Sequence, residues 1–410
     1  MGLKFRLIVM SFLQYAIWGA WLISLGAYLG GNLKFEGFQI GSFFATMGIA
    51  SLFMPAIMGI IADRWIPAQK LLGICHILAA GFLVFAAPQT EYGSLYPLIL
   101  LSVMFYMPTI ALSNSVAYNA LTKGGMSTVK DFPPIRVWGT VGFIVSMIAV
   151  DLLGFANSAN QLYMSAAIGF VLGIYSFTLP NCDIKTDSSK KSWIDHLGLR
   201  AFTLFKQKKM AIFFIFSMML GMSLQITNAF ANDYLTNFFG SNPVYKGTFG
   251  VEHANILISL SQASETLCIL LIPFVLKKFG IKKVMLISMV AWVLRFGLLG
   301  LGNPGGGVWM LVLSMIVYGV AFDFFNISGS LFVENETDSS IRSSAQGVFM
   351  IMTNGFGAFI GSYVAGWVVD FAGWPNSWFV FAGYSLLVAA VFALVFKYKH
   401  DPTKFEKVSH

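Results

Sequence analysis

Asp323 stands in YGVAFDFFNISGS, Tyr318 to Ser330, inside a long apolar run. An Asp at the centre of a membrane helix costs about 2.5–3.5 kcal/mol on insertion scales. It persists only where it faces protein or water, so it points to function. Other strongly polar side chains recur at helical spacing. Arg136, Thr140 and Phe143 follow i, i+4, i+7 in DFPPIRVWGTVGF, where Pro133 and Pro134 suit a first turn and put Arg136 about one turn in. Gln225, Asn228 and Asn232 follow i, i+3, i+7 in LQITNAFAN, and Gln262 and Glu265 follow i, i+3 in SLSQASETL. Tyr318, Phe322 and Asn326 follow i, i+4, i+8, with Asp323 about 100° around from Phe322. Amides of this kind also bridge neighbouring membrane helices, at roughly 0.6 kcal/mol apiece. Four aligned stripes together supply amides, a guanidinium, two carboxylates and aromatic faces. That set suits a flat, hydroxyl-rich heterocycle: rings stack on Phe and Tyr, while amides and carboxylates bind ring edges and sugar hydroxyls.

The elements that position these groups must be membrane helices. Of the 410 residues, 57% are hydrophobic and 11% charged, against about 25% charged in soluble domains. Spans of about 20 apolar residues are expected near 5–29, 38–62, 71–88, 95–121, 134–156 and 161–180. After a polar stretch over 181–209, six more are expected near 210–237, 252–276, 284–302, 308–333, 343–369 and 375–396. The fold class is therefore all-α integral membrane, with twelve transmembrane helices in two pseudo-symmetric bundles. The domains are 1–180, a cytoplasmic loop 181–209, 210–398 and a cytoplasmic tail 399–410. MGLKFRLIVM has no small-residue cleavage site and reads as the first membrane helix, and MGLKFR lacks a myristoylation Ser/Thr.

With both termini cytoplasmic, all but four of the 26 basic residues fall on the inner side, which explains the net charge of +8 without nucleic acid. The four are Lys34 and Lys246 outside, and Arg136 and Arg295 within helices. Arg295 reads either as a partner of Glu265 or as snorkelling to an interface. His76 reads as a packed helix contact, Asp151 as reaching water at the outer end of its span, and most aromatics as lipid-facing or interfacial. Thr353 to Trp367, rich in Gly, reads as close helix packing. Cys75, Cys182 and Cys268 form neither a disulfide framework nor a metal spacing, so no metal and no cofactor are expected. A membrane enzyme would need a catalytic cluster, and none is evident. A channel fits the two-half layout poorly.

Six plus six around a cytoplasmic loop is the layout of a carrier with its substrate site near the midplane. GIIADRW, Gly59 to Trp65, resembles the loop signature of the major facilitator superfamily at Gly59, Asp63 and Arg64, although the usual basic ending is missing. The expectation is that these three gate the carrier, Asp63 pairing with cytoplasmic arginines in one conformational state. A plain basic turn is the alternative.

LKFRLIVMSFLQYAIWGAWL, DFPPIRVWGTVGF, KMAIFFIFSMML, LQITNAF, SQASETL and LVLSMIVYGVAFDFFNISGS resemble the bacterial nucleoside:proton symporters of the major facilitator superfamily. The likeness runs from the first helix to the KYKH of the tail. It implies uptake of purine and pyrimidine nucleosides with protons across the cell inner membrane. The residues implied to contact substrate are Arg136, Thr140, Phe143, Gln225, Asn228, Gln262, Glu265, Tyr318 and Phe322. Asp323 is implied to be the acid tied to transport, with Glu265 as the second candidate. Departures fall in loops, mainly 239–251 and near Gly373. The expected partners are a nucleoside, protons and the bilayer, with no nucleic acid and a monomer as the unit. A proton-coupled sugar carrier of the same fold is the rival reading.

Overall fold

The computed structural model describes residues 2–184, 199–337 and 341–398. Residues 185–198 of the expected central loop and the expected tail 399–410 lie outside the described residues. The regular structure within them is helical: α1 (Leu3–Gly19), α2 (Gly37–Arg64), α3 (Ala68–Ala86), α4 (Tyr92–Lys123), α5 (Thr128–Leu152), α6 (Asn160–Ser176), α7 (Lys208–Asp233), α8 (Ala254–Leu301), α9 (Val308–Glu336), α10 (Ser344–Ala372) and α11 (Asn376–Val395). Among the described residues, nine helices, α2–α5 and α7–α11, are long and apolar enough to cross a membrane. α1 and α6 have 17 residues each. α8 has 48 residues but breaks at Gly280, whose φ of 74° and ψ of 165° are open to glycine and strained for a residue with a Cβ.

Two compact units emerge, Met1–His196 with Asn228–Asp233, and Leu197–Thr227 with Tyr234–His410. In the first, α1 packs on α5 and α6, α3 on α4 and α6, and α2 on α4. Glycines let the backbones close up: a Cβ on Gly142 would overlap the Phe12 carbonyl, and one on Gly19 the carbonyl of Phe143. Polar bridges supplement packing, as Ser165 Oγ donates to the Ile17 carbonyl at 2.8 Å and Ser102 Oγ to that of Ala79 at 2.9 Å. In the second unit α8 packs on α9 and α11. Gly357 and Gly361 meet the α7 backbone at Met218 and Met222, the close packing expected of the Gly-rich run. Tyr384 OH ties α11 to the Met219 carbonyl at 2.9 Å.

Charged contacts gather at helix ends. Lys4 pairs with Asp131 at 2.6 Å and Lys123 with Asp183 at 2.7 Å in the first unit, and Lys209 with Glu336 at 2.7 Å in the second. All three cysteines are free and buried.

Several expectations need correction. The first span does not run to 29: α1 stops at Gly19, and a short helix Leu25–Ala27 and a π-turn Tyr28–Asn32 follow. Ser24 in the break donates to Gln161 Oε1 at 3.0 Å, which holds it against the start of α6. α5 begins at Thr128, not near 134. The Ser127 side chain caps it by accepting from the Lys130 N–H, and the Ser127 N–H donates to Asp131. Pro133 and Pro134 therefore lie inside the helix and Arg136 lies about two turns in. Asp151 is buried, 8% exposed, rather than reaching water. The aromatics divide: Phe371, Phe274 and Phe85 are exposed, whereas Phe213, Phe214, Phe296, Phe325 and Phe332 fill the space between helices.

Candidate functional site

The first unit offers one polar patch. On α5, Arg136 and Thr140 are half-buried and Phe143 is buried, while Val137, Trp138 and Val145 on other faces are exposed. The Arg136 guanidinium lies 3.9 Å from the centroid of the Tyr15 ring on α1. Asn228, half-buried on α7, groups with this unit, and Asn232 below it is buried.

Next to Tyr15 in sequence, Gln14 centres a second polar cluster of this unit. Gln14 donates through Nε2 to Thr109 Oγ1 at 2.7 Å, and its carbonyl accepts from Tyr106 OH at 2.7 Å. Its Oε1 lies 2.8 Å from His76 Nε2. An amide oxygen only accepts, so His76 Nε2 carries the hydrogen and Nδ1 is a bare acceptor, with no partner among the described residues. His76 is thus the helix contact expected of it, joining α3 to α1. His76, Tyr106, Ser102, Ser165 and Trp21 border a small cavity.

The second unit offers the acid-bearing patch. Tyr318 and Phe322 on α9 stack with centroids 5.7 Å apart and planes 11° apart. Successive turns of one helix put their rings in register. The Gln262 side chain reaches the Tyr318 hydroxyl, and Glu265, half-buried one turn on, is near enough to Asp323 for the two carboxylates to interact. Asp323 is 4% exposed, and its Oδ2 has no hydrogen-bond partner among the described residues. Gln225 on α7 is likewise buried with an unpartnered Oε1. Orphaned oxygens in such surroundings are costly and call for an explanation.

Arg295 does not snorkel: it is 2% exposed. Its Nη1 donates to the Ser314 carbonyl at 2.7 Å and lies 3.4 Å from Ser261 Oγ, with the guanidinium 4.6 Å from the Tyr318 ring centroid.

Gly59, Asp63 and Arg64 lie together at the end of α2, with open space around Gly59 and both charged side chains exposed. Among the described residues Asp63 makes no ion pair. No group of three or more His, Cys, Asp or Glu able to hold a metal occurs among the described residues. Sequence reasoning missed Gln14, Tyr15, Tyr106 and Thr109. Gln14 is a long amide in an apolar run, and Tyr106 and Thr109 at i, i+3 give a faint stripe, but neither signal names its partner.

The Nucleoside H+ symporter family matches residues 1–401. The chain is 50% identical over 419 residues to the nucleoside permease NupG of Escherichia coli (strain K12), covering 100% of both chains. It is 51% identical over 417 residues to the xanthosine permease of the same organism, covering 100% of this chain and 99% of the relative. A crystal structure of the nucleoside transporter NupG, 50% identical, superposes with a TM-score of 0.92 over 97% of this chain and 100% of that one. These likenesses place the helices in a major facilitator membrane fold and make the protein a transporter rather than an enzyme. The chain belongs to the nucleoside:H+ symporter family.

Proposed function

We propose that the protein imports purine and pyrimidine nucleosides across the cell inner membrane, each with protons, by alternating access. The observation that carries this reading is the acid-bearing patch on α9: a stacked Tyr318–Phe322 pair followed directly by Asp323, whose buried Oδ2 has no partner among the described residues, as Gln225 Oε1 on α7 also has none. A nucleoside brings both complements. Its base has a face for the rings, and its hydroxyls and N–H groups donate to bare oxygens. Gln262 and Glu265 extend the acceptor set. Arg136, Thr140, Phe143 and Asn228 supply donors and a further aromatic surface during the cycle. Asp323 is the proposed proton-coupling group, with Glu265 beside it. Gly59, Asp63 and Arg64 are proposed to gate the inner side.

The nine spans become twelve once α1 and α6 are counted and α8 is divided at Gly280. Twelve spans make two six-helix bundles, 1–180 and 210–398, with 181–209 and the tail 399–410 cytoplasmic. The lysine and arginine bias supports that orientation. The working unit is proposed to be a monomer that needs no cofactor and binds no nucleic acid.

Proteoliposomes test the reading. An inward proton gradient should drive accumulation of labelled uridine, an uncoupler should abolish it, and preloaded uridine should exchange by counterflow. Accumulation that survives the uncoupler, or that follows sodium instead, refutes proton symport.

A further inference from the structure

Arg136 is a cation at membrane depth, and among the described residues it makes no hydrogen bond or ion pair. What it has is the Tyr15 ring, 3.9 Å from its central carbon. This choice of support has a chemical consequence. A guanidinium is planar with five donors in its plane. A carboxylate would occupy two of those donors in a fork, whereas an aromatic face takes the guanidinium by its own face and leaves the in-plane donors for ligand oxygens.

The surroundings are built to keep that ring in place. Gly139 sits where α1 meets α5, and a Cβ there would stand 2.5 Å from Tyr15 Cδ2, 2.9 Å from Arg136 Nη1 and 3.1 Å from Ser11 Oγ. One turn on, Gly142 presses on the Phe12 backbone. On the other side of Tyr15, the adjacent Gln14 is held by Thr109, Tyr106 and His76, from two further helices. Tyr15 thus follows a residue held by three hydrogen bonds and faces a helix brought close by glycine.

We propose that Tyr15 is a positioning residue for nucleoside binding, a platform that fixes the Arg136 guanidinium while leaving its donors free for the ligand. The proposal rests on the reading of Arg136 as a substrate contact. An Arg side chain is long and rotamer-rich, so without the ring it must be ordered by the ligand, and affinity falls.

The test is uridine binding to the purified full chain by calorimetry, with thermal unfolding in parallel. Tyr15→Leu should raise Kd by roughly 3- to 30-fold, the span of an exposed to a desolvated cation–π contact. Tyr15→Phe, which keeps the ring, should recover most of that loss. In an Arg136→Ala background, Tyr15→Leu should add nothing to Kd, because the platform acts only through the arginine. Should Tyr15→Leu not fold, Tyr15→Met, which removes the ring but keeps more of its length, replaces it in the cycle with the same expected pattern. Additive losses, an unchanged Kd in Tyr15→Leu, or a Tyr15→Phe loss equal to that of Tyr15→Leu would each overturn the proposal. If Arg136→Ala weakens binding while Tyr15→Leu does not, only the platform fails. If Arg136→Ala binds uridine as the wild type does, the substrate reading of Arg136 fails with it.

Discussion

Arg136 and Arg295 are both arginines inside membrane spans, and both lie over a tyrosine ring, yet they are held in opposite ways. Arg295 is enclosed: it donates to the Ser314 carbonyl, approaches Ser261 and covers Tyr318. Ser314 Oγ in turn donates to the Arg295 carbonyl at 2.9 Å, so the side chain sits within a two-way tie between α8 and α9. Arg136 is half-exposed and rests on the Tyr15 ring, with no hydrogen bond or ion pair among the described residues. The same residue type is thus a structural rivet in one unit and a poised donor in the other. What separates them is whether the protein anchors the guanidinium: Arg295 Nη1 has a backbone acceptor, although Arg295 Nε has no partner among the described residues. The two patches also differ in charge: Glu265 and Asp323 lie near enough to Tyr318 to interact with it, while the patch built on Arg136 contains none of the proposed coupling acids.

The largest expected effect lies on the acid side. Asp323→Asn keeps the shape and polarity of a protonated acid but cannot release a proton. Uridine affinity should stay near wild type, whereas accumulation above the external concentration should disappear. Glu265→Gln is the control, since interacting acids titrate as a pair. Accumulation at the wild-type rate and level in Asp323→Asn would transfer the coupling role to Glu265.

The arginines themselves come next, and each should fail a different assay. Arg295→Ala leaves a cavity and breaks the α8–α9 tie, at about 2–5 kcal/mol of stability by analogy with large-to-small core changes. Unfolding of the purified protein should register it. Arg136→Ala should cost little stability but should weaken uridine binding roughly 5- to 150-fold, the worth of about 1–3 kcal/mol in lost ligand hydrogen bonds. Reversed outcomes would mean that exposure is a poor guide to which cation serves the ligand.

An effect of the same size as that of Arg136→Ala separates the aromatic surfaces. Phe322→Ala should reduce affinity for uridine by about 1–3 kcal/mol, the worth of one base–aromatic stack, and affinity for free ribose far less. Competition assays with ribose, uracil and uridine decide it. Equal losses for ribose and uridine would assign the base to Phe143 or Tyr318 instead.

Much of this contrast was legible in the sequence, for a definable reason. Helical spacing places i, i+3 and i+4 on one face, so the stripes of α5, α8 and α9 could be read from residue numbers alone. A buried acid such as Asp323 also announces itself within an apolar run. Spacing is silent about partners on other helices. Tyr15 and Arg136 are separated by over a hundred residues, and nothing local tells that Gly139 lets them meet. The anchor of Arg295 was hidden for the same reason, since the acceptor of its Nη1 is a backbone carbonyl on α9. Cap chemistry misled once: Pro133 and Pro134 resemble a helix start, but Ser127 and Asp131 begin the helix earlier. Asp151 looked exposed because depth along a span was judged by position, and burial depends on neighbouring helices.

The smallest expected effect concerns His76, which sharpens the contrast between polar groups that hold helices and those that serve transport. Its Nε2–H donates to Gln14 Oε1, and its Nδ1 carries a lone pair rather than a hydrogen. That is a complete role for a neutral imidazole bridging α3 and α1. A proton arriving at Nδ1 would create a buried donor with no acceptor among the described residues. The ring also sits edge-on to Tyr106, 6.0 Å between centroids, so packing as well as hydrogen bonding fixes it. His76→Leu keeps most of the volume and removes one interhelical hydrogen bond, which in membrane proteins averages about 0.6 and reaches about 1.7 kcal/mol. A stability loss of that order, read as a lowered unfolding temperature, is expected, with uridine uptake retaining its wild-type dependence on pH. Asp323→Asn should do the reverse, sparing stability and flattening the pH profile. If His76→Leu shifts the pH profile instead, the imidazole belongs to the proton path and not to the contacts that hold helices together.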